Sequence, residues 1–170
     1  MRLLFFYRTL GDEVEEESTN LKLDDLDKKI LAKLLSDSRT SYQEIARDLI
    51  VSGGTIHVRI NKMKEAGVIK GSKLVLDVGK LGLEFQAFVG INLVNARDYK
   101  FVLEKLKDLP EIVEVHYTTG GFSLFAKVLT KNSKEFHLFL IEKLQSIQEI
   151  QSTETIISLD NPVCKEVTIR

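Results

Sequence analysis

The stretch SYQEIARDLIVSGGTIHVRINKMKEAG, Ser41 to Gly67, holds two short amphipathic patterns joined by a tight break. Ser41 and Glu44 stand at capping-box spacing, where each side chain can meet the other residue's backbone N–H. Tyr42, Ile45, Ala46 and Leu49 follow as an apolar stripe at helical spacing. The connection from Ile50 to Gly53 leads into a second pattern, with Ser52 as N-cap, Ile56, Ile60 and Met63 as the buried stripe, and Gly67 as the stop. Upstream, from Leu23, a further helix carries Leu26, Ile30 and Leu34 beside Leu31 and Leu35, capped by Asp24 or Asp25. Three short helices with a tight turn between the second and third predict a helix-turn-helix domain over residues 21–76. Val68 to Leu76, VIKGSKLVL, predicts a small β-wing of two short strands around Lys70-Gly71-Ser72.

Beyond it, residues 77–84 lose periodicity between Gly79 and Gly82 and read as a linker. The pattern from 85 to 160 then alternates. Strand signals at Phe85–Val94, Ile112–Thr119, Phe122–Leu129 and Ile150–Leu159 enclose helical signals at Asp98–Asp108 and Ser133–Leu144. Gly120-Gly121 marks a hairpin, because adjacent glycines accept the positive φ of a tight turn. The order βαββαβ predicts a ferredoxin-like α+β domain, a four-stranded antiparallel sheet with both helices on one face. Ala87, Val89 and Ile91 are expected on the uncovered face, too apolar for water and suited to a second copy, hence a homodimer. Residues 1–20 form an extension whose Leu3, Leu4, Phe5, Phe6 and Tyr7 suit packing on a partner but fit a frayed or misassigned start equally well, and residues 161–170 form a tail.

Charge is distributed unevenly. Residues 21–80 hold 12 basic against 8 acidic side chains, whereas residues 81–170 hold 10 against 12. A basic module joined to a slightly acidic one suits a polyanion partner, although the excess alone decides little. The one cysteine, Cys164, rules out a disulfide within the chain and fits a reducing cytoplasm. The start lacks the long apolar region of a signal peptide, and no stretch approaches membrane-spanning length.

The third helix carries the chemistry. Lying in a major groove, it would present Thr55, His57, Val58, Arg59 and Lys62. Arg59 and Lys62 suit phosphates or guanine, Thr55 can donate a hydrogen bond, and Val58 can touch a thymine methyl. Ser52, Gly53 and Gly54 open the helix and leave backbone N–H groups for a phosphate. Lys70 and Lys73 add wing charge. Double-stranded DNA is the implied partner. Catalysis and metal binding find little support: His57, His116 and His137 sit on separate elements, Cys164 lacks a partner at ligand spacing, and Asp24, Asp25 and Asp27 are explained by capping. No cofactor is implied. A second candidate site combines the hairpin residues Thr119, Gly120, Gly121 and Ser123 with Thr153, Glu154 and Thr155 on the last strand. Hairpin N–H groups suit a carboxylate and Glu154 an ammonium, so an amino acid is a suitable ligand, with Gln145 in reach. From the residues alone, Thr as a strand former and Gly-Gly as a turn explain these positions as well.

The runs VSGGTIHVRINKMKEAGVIKGSK, YTTGGFSLF and EIQSTETIISLDNP together resemble the Lrp/AsnC family of prokaryotic transcription regulators, over roughly Leu23 to Pro162. The resemblance is closest to the asparagine-responsive branch. It implies a non-enzymatic cytoplasmic regulator, assembled from dimers into octamers, with an amino-acid effector between C-terminal domains. For this branch the effector is L-asparagine, and the targets are asparagine synthesis and the regulator's own gene. It implies DNA-facing roles for Thr55, Arg59 and Lys62, and effector roles for Tyr117, Gly120 and Gln145. Two positions depart from the common pattern: Gly53 replaces a usual proline, and Ser123 stands where leucine-responsive relatives tend to carry Asp. The competing reading is an amino-acid-sensing assembly module whose helix-turn-helix contacts protein rather than DNA.

Overall fold

In the computed structural model, which describes residues 21–165 and 167–169, the chain divides into two compact units. One runs to Leu74 and takes in the tail from Lys165, and the other spans Val75–Cys164. The expected apolar cluster at Leu3–Tyr7 lies outside the described residues.

The first unit is built from α1 (Asp25–Ser36), α2 (Tyr42–Asp48) and α3 (Gly53–Glu65). Asp24 caps α1 in a reciprocal box: its side chain accepts the Asp27 N–H, and the Asp27 side chain accepts the Asp24 N–H. Ser41 caps α2 by accepting the Glu44 N–H, and Ser52 caps α3 by accepting the Thr55 N–H. Ile30, Leu31, Ile45, Ala46, Ile56, Ile60 and Met63 form the core, with Ile169 of the tail packed against it. The expected wing strands do not form. Val68 and Ile69 donate to the Met63 carbonyl, and no strand ladder follows in residues 68–76. Leu74, Val75 and Leu76 are exposed, so no apolar face holds a ribbon together.

The second unit contains β1 (Phe85–Leu93), α4 (Tyr99–Lys107), β2 (Ile112–Tyr117), β3 (Leu124–Thr130), α5 (Ser133–Leu138) and β4 (Ile150–Ile157). The sheet is antiparallel throughout in the order β2-β3-β1-β4, the ferredoxin-like arrangement. Ala87, Val89 and Ile91 point the other way from expected. They are fully buried with Val102, Leu106, Phe136, Phe139 and Leu144, on the face that the helices cover. Period-2 alternation then assigns Phe88, Gly90 and Asn92 to the open face. The phase of Phe85, Ala87, Val89, Ile91 and Leu93 is wholly apolar, whereas the other holds Gln86, Gly90 and Asn92 beside Phe88, so the alternation itself favours this face.

The second helix also differs from a uniform α-helix. After Leu138 it widens into a π-helical segment, Phe139–Leu144, closed by the Gln145 N–H on the Leu140 carbonyl. The wider turn rotates Phe139 into the core and leaves Leu140 half-buried.

Candidate nucleic-acid interface and effector site

Ile56, Ile60 and Met63 turn one side of α3 inward, which leaves Gly54, His57, Val58, Asn61 and Lys62 facing away from the core. Val58 is 66% exposed at the middle of that side. The His57 ring stands edge-on to Tyr42, centroids 5.8 Å apart, and its Nδ1 lies 3.4 Å from the Asn61 amide. Asn61 was not among the residues expected from sequence. Its place one turn beyond His57 was the available signal, and an amide there suits adenine in a major groove. The Thr55 hydroxyl is 2.8 Å from the Ser52 hydroxyl, which fixes it at the start of the helix. The N–H groups of Gly53 and Gly54, in the first turn, have no partner within the helix. Lys62, Lys70 and Lys73 are exposed.

Arg59 makes contacts that its sequence position did not reveal. Its Nη1 donates to Asp24 Oδ2 at 2.7 Å and to Asp27 Oδ1 at 2.8 Å. These contacts raise the Arg59 pKa, Asp27 contributing most. The Asp24 carboxyl is held below its ordinary value, chiefly by the Asp27 N–H and then by Arg59. One guanidinium nitrogen is thus anchored at the start of α1, with the side chain 30% exposed.

The second group of candidates is more dispersed. The expected two-residue hairpin is a longer loop, because β2–β3 pairing ends at Tyr117 and Leu124. Thr118 closes it, its N–H on the Ser123 carbonyl at 3.1 Å and its hydroxyl on the Phe122 carbonyl at 2.8 Å. Only Gly120 of the glycine pair has positive φ, at 120°. Thr119, Gly120 and Gly121 lie between these closures with side chain or backbone outward. Ser123 is an internal brace: its N–H donates to Ile91 and its hydroxyl accepts from the Leu93 N–H. Tyr117, at the base of this loop on edge strand β2, stacks on Tyr99 at 4.6 Å.

Thr153 and Thr155 pair with Ile91 and Val89 and share the helix-side face. Glu154, opposite Gly90, belongs to the open face, so the three do not converge on one ligand within a chain. Gln145 is exposed at the end of the π-helical segment. A cavity of about 330 Å³ lies between Gln86, Leu129, Ser158 and Asp160, at the far end of β1, and none of these candidates lines it.

The open face itself is aromatic. Phe88 and Phe125 stack at 5.7 Å, and Phe122 stacks on Phe125 at 6.0 Å. The Phe122 ring covers Gly90, where an added Cβ would meet it at 2.6 Å.

Among the described residues no group of three or more His, Cys, Asp or Glu side chains could hold a metal ion, and no helix is long and apolar enough to cross a membrane. His116 pairs with Glu114 at 2.7 Å.

Residues 23–70 match a family model described as winged helix-turn-helix DNA-binding, and residues 86–168 match the Lrp/AsnC ligand binding domain. The chain is 49% identical over 145 residues to Regulatory protein AsnC of Haemophilus influenzae, covering 85% of this chain and 97% of that protein. It is 45% identical over 148 residues to Regulatory protein AsnC of Escherichia coli K12, with 87% and 97% covered. The solved structure of E. coli AsnC superposes with a TM-score of 0.83 at 43% identity, over 87% of this chain and 99% of that one. A DNA-binding unit followed by an amino-acid-binding unit defines a DNA-binding transcription regulator. The chain belongs to the Lrp/AsnC family.

Proposed function

We propose that this regulator tunes the genes of asparagine synthesis, and its own gene, in response to L-asparagine. The likeness to two AsnC proteins over nearly their whole length is the observation that carries the reading. DNA is read by the α3 face. Ser52 and Gly54 offer the helix start to a phosphate, while Thr55, His57, Val58 and Asn61 meet base edges. Lys62, Lys70 and Lys73 neutralise phosphates. From Gly54 to Lys62 this face carries no carboxylate, which favours a polyanion over a protein partner.

The C-terminal units pair through the aromatic face of Phe88, Phe122 and Phe125, and the dimers assemble further into an octamer in the cytoplasm. The dispersal of Tyr117, Thr119, Gly120, Gly121, Ser123, Gln145, Thr153, Glu154 and Thr155 within one chain supports an effector site completed by a second copy. In that site loop N–H groups take the effector carboxylate. Ser123 acts there as a brace for the loop.

Fluorescence-anisotropy titration against the promoter duplex and a scrambled duplex, with and without L-asparagine at two salt concentrations, tests this. Promoter preference modulated by asparagine is expected. Modulation by another amino acid only would overturn the effector, and absence of salt-sensitive binding would favour the protein-contact module.

A further inference from the structure

We propose that Arg59 is a positioning residue that clamps the recognition helix α3 to the start of α1, and that Lys62 is the cation this helix presents to DNA. The proposal rests on the DNA-facing reading of α3 given above.

The geometry of the triad leaves no oxygen of either carboxylate spare. Asp24 uses Oδ1 on the Asp27 N–H at 2.9 Å and the other oxygen on Arg59. Asp27 uses Oδ2 on the Asp24 N–H at 3.1 Å and the other oxygen on Arg59. The cap of one helix and the ion pair to another are therefore a single unit. Asp27 is only 7% exposed, and a buried carboxylate stripped of its cation is strongly unfavourable. Both carboxylates are served by Nη1 alone, so the 30% exposed Arg59 side chain is anchored to α1 and meets any phosphate only through Nε or Nη2. Lys62, one turn along, is exposed and makes no ion pair among the described residues.

A clamp of this kind sets the rotation of α3 about its own axis. Val58 and Asn61 project from the same turns as Arg59, so a small rotation displaces both from base edges. Loss of the clamp should therefore weaken discrimination between sequences, and it should leave the number of neutralised phosphates unchanged.

The test compares Arg59→Gln, Asp27→Asn, their double variant and Lys62→Gln in the full-length protein, well below each unfolding midpoint. Anisotropy titrations against promoter and scrambled duplexes over a salt series read affinity, preference and slope. Lys62→Gln is expected to reduce the slope of log K against log salt by about 0.9 for each Lys62 engaged, hence by about 1.8 for a dimer on two half-sites. Arg59→Gln and Asp27→Asn are each expected to cut promoter preference by roughly tenfold, comparable to one mismatched base pair, with the slope unchanged. The double variant should be no worse than either single one, because both remove the same unit.

A slope reduced by Arg59→Gln, or an Asp27→Asn protein with undiminished preference, overturns the proposal. If those variants do not fold, Asp24→Asn keeps the cap and removes one charge. It should lower preference in the same direction, and full preference in that variant sinks the idea. Should the wild-type protein show no promoter preference at all, the DNA reading fails. The clamp is then decided by thermal unfolding, where additive losses in the double variant overturn it.

Discussion

Ile50 sits in the turn between α2 and α3 with φ of 57° and 92% of its surface exposed. A β-branched side chain in the left-handed region is strained, and this one gains almost nothing from burial. Ile50→Gly should raise stability by about 0.5–1 kcal/mol, the relief of strain exceeding the entropy that glycine adds to the unfolded chain. Urea unfolding should show a higher midpoint at an unchanged slope; a lower midpoint would show that Ile50 has an interaction of its own. Asp24 supports a second expectation. Its carboxyl is depressed in the folded state, so its contribution is present above the ordinary carboxylate range and is lost as pH falls through the lowered value. Wild-type and Asp24→Asn proteins should therefore differ in stability at neutral pH and converge in strong acid, as followed by circular dichroism. The identities of both residues were plain in the sequence. The backbone angle of one and the long-range partner of the other, Arg59, were not, since the first depends on how α2 turns into α3 and the second on how α1 and α3 meet.

Among the elements, α3 matches its expectation well in extent, cap and buried stripe, because the polar Ser52 and the period of Ile56, Ile60 and Met63 are local signals. Its glycines are not demanded by the fold. A Cβ at Gly53 meets nothing within 4 Å, and one at Gly54 meets only the Ser52 hydroxyl at 3.8 Å. Gly54→Ala should accordingly stabilise the helix by about 0.5–1 kcal/mol. The same methyl should weaken promoter binding if the backbone approaches a phosphate there. Unfolding and anisotropy measured on one preparation separate the two effects, and unchanged affinity would show that the helix start stands clear of DNA. The wing and the hairpin were less legible. Alternating residues in 68–76 look like a ribbon, yet a two-stranded ribbon needs a covered face, and these side chains have none. Gly120-Gly121 signals reversal correctly, whereas the length of the loop is set by where the β2–β3 ladder stops.

At the scale of the whole molecule, the half-buried aromatic face is the surface proposed for pairing of two copies. Phe122 lies over Gly90 so closely that Gly90→Ala must push the ring away. That variant should lower folding stability by about 1–3 kcal/mol, the usual cost of overpacking, and weaken self-association through the displaced ring. Sedimentation equilibrium would read the loss, and undiminished assembly would move the subunit interface elsewhere. Composition, the two helical periods and the βαββαβ order were enough to specify two units, their folds and their succession. These follow from local propensity and period, which each segment carries by itself. Two matters were decided only by tertiary structure: that Arg59 is paired with Asp24 and Asp27 at the start of α1, and where the β2–β3 ladder stops, which sets the length of its loop. Each depends on which surfaces come together. An arginine on a basic helix takes its role from a neighbour far away in sequence.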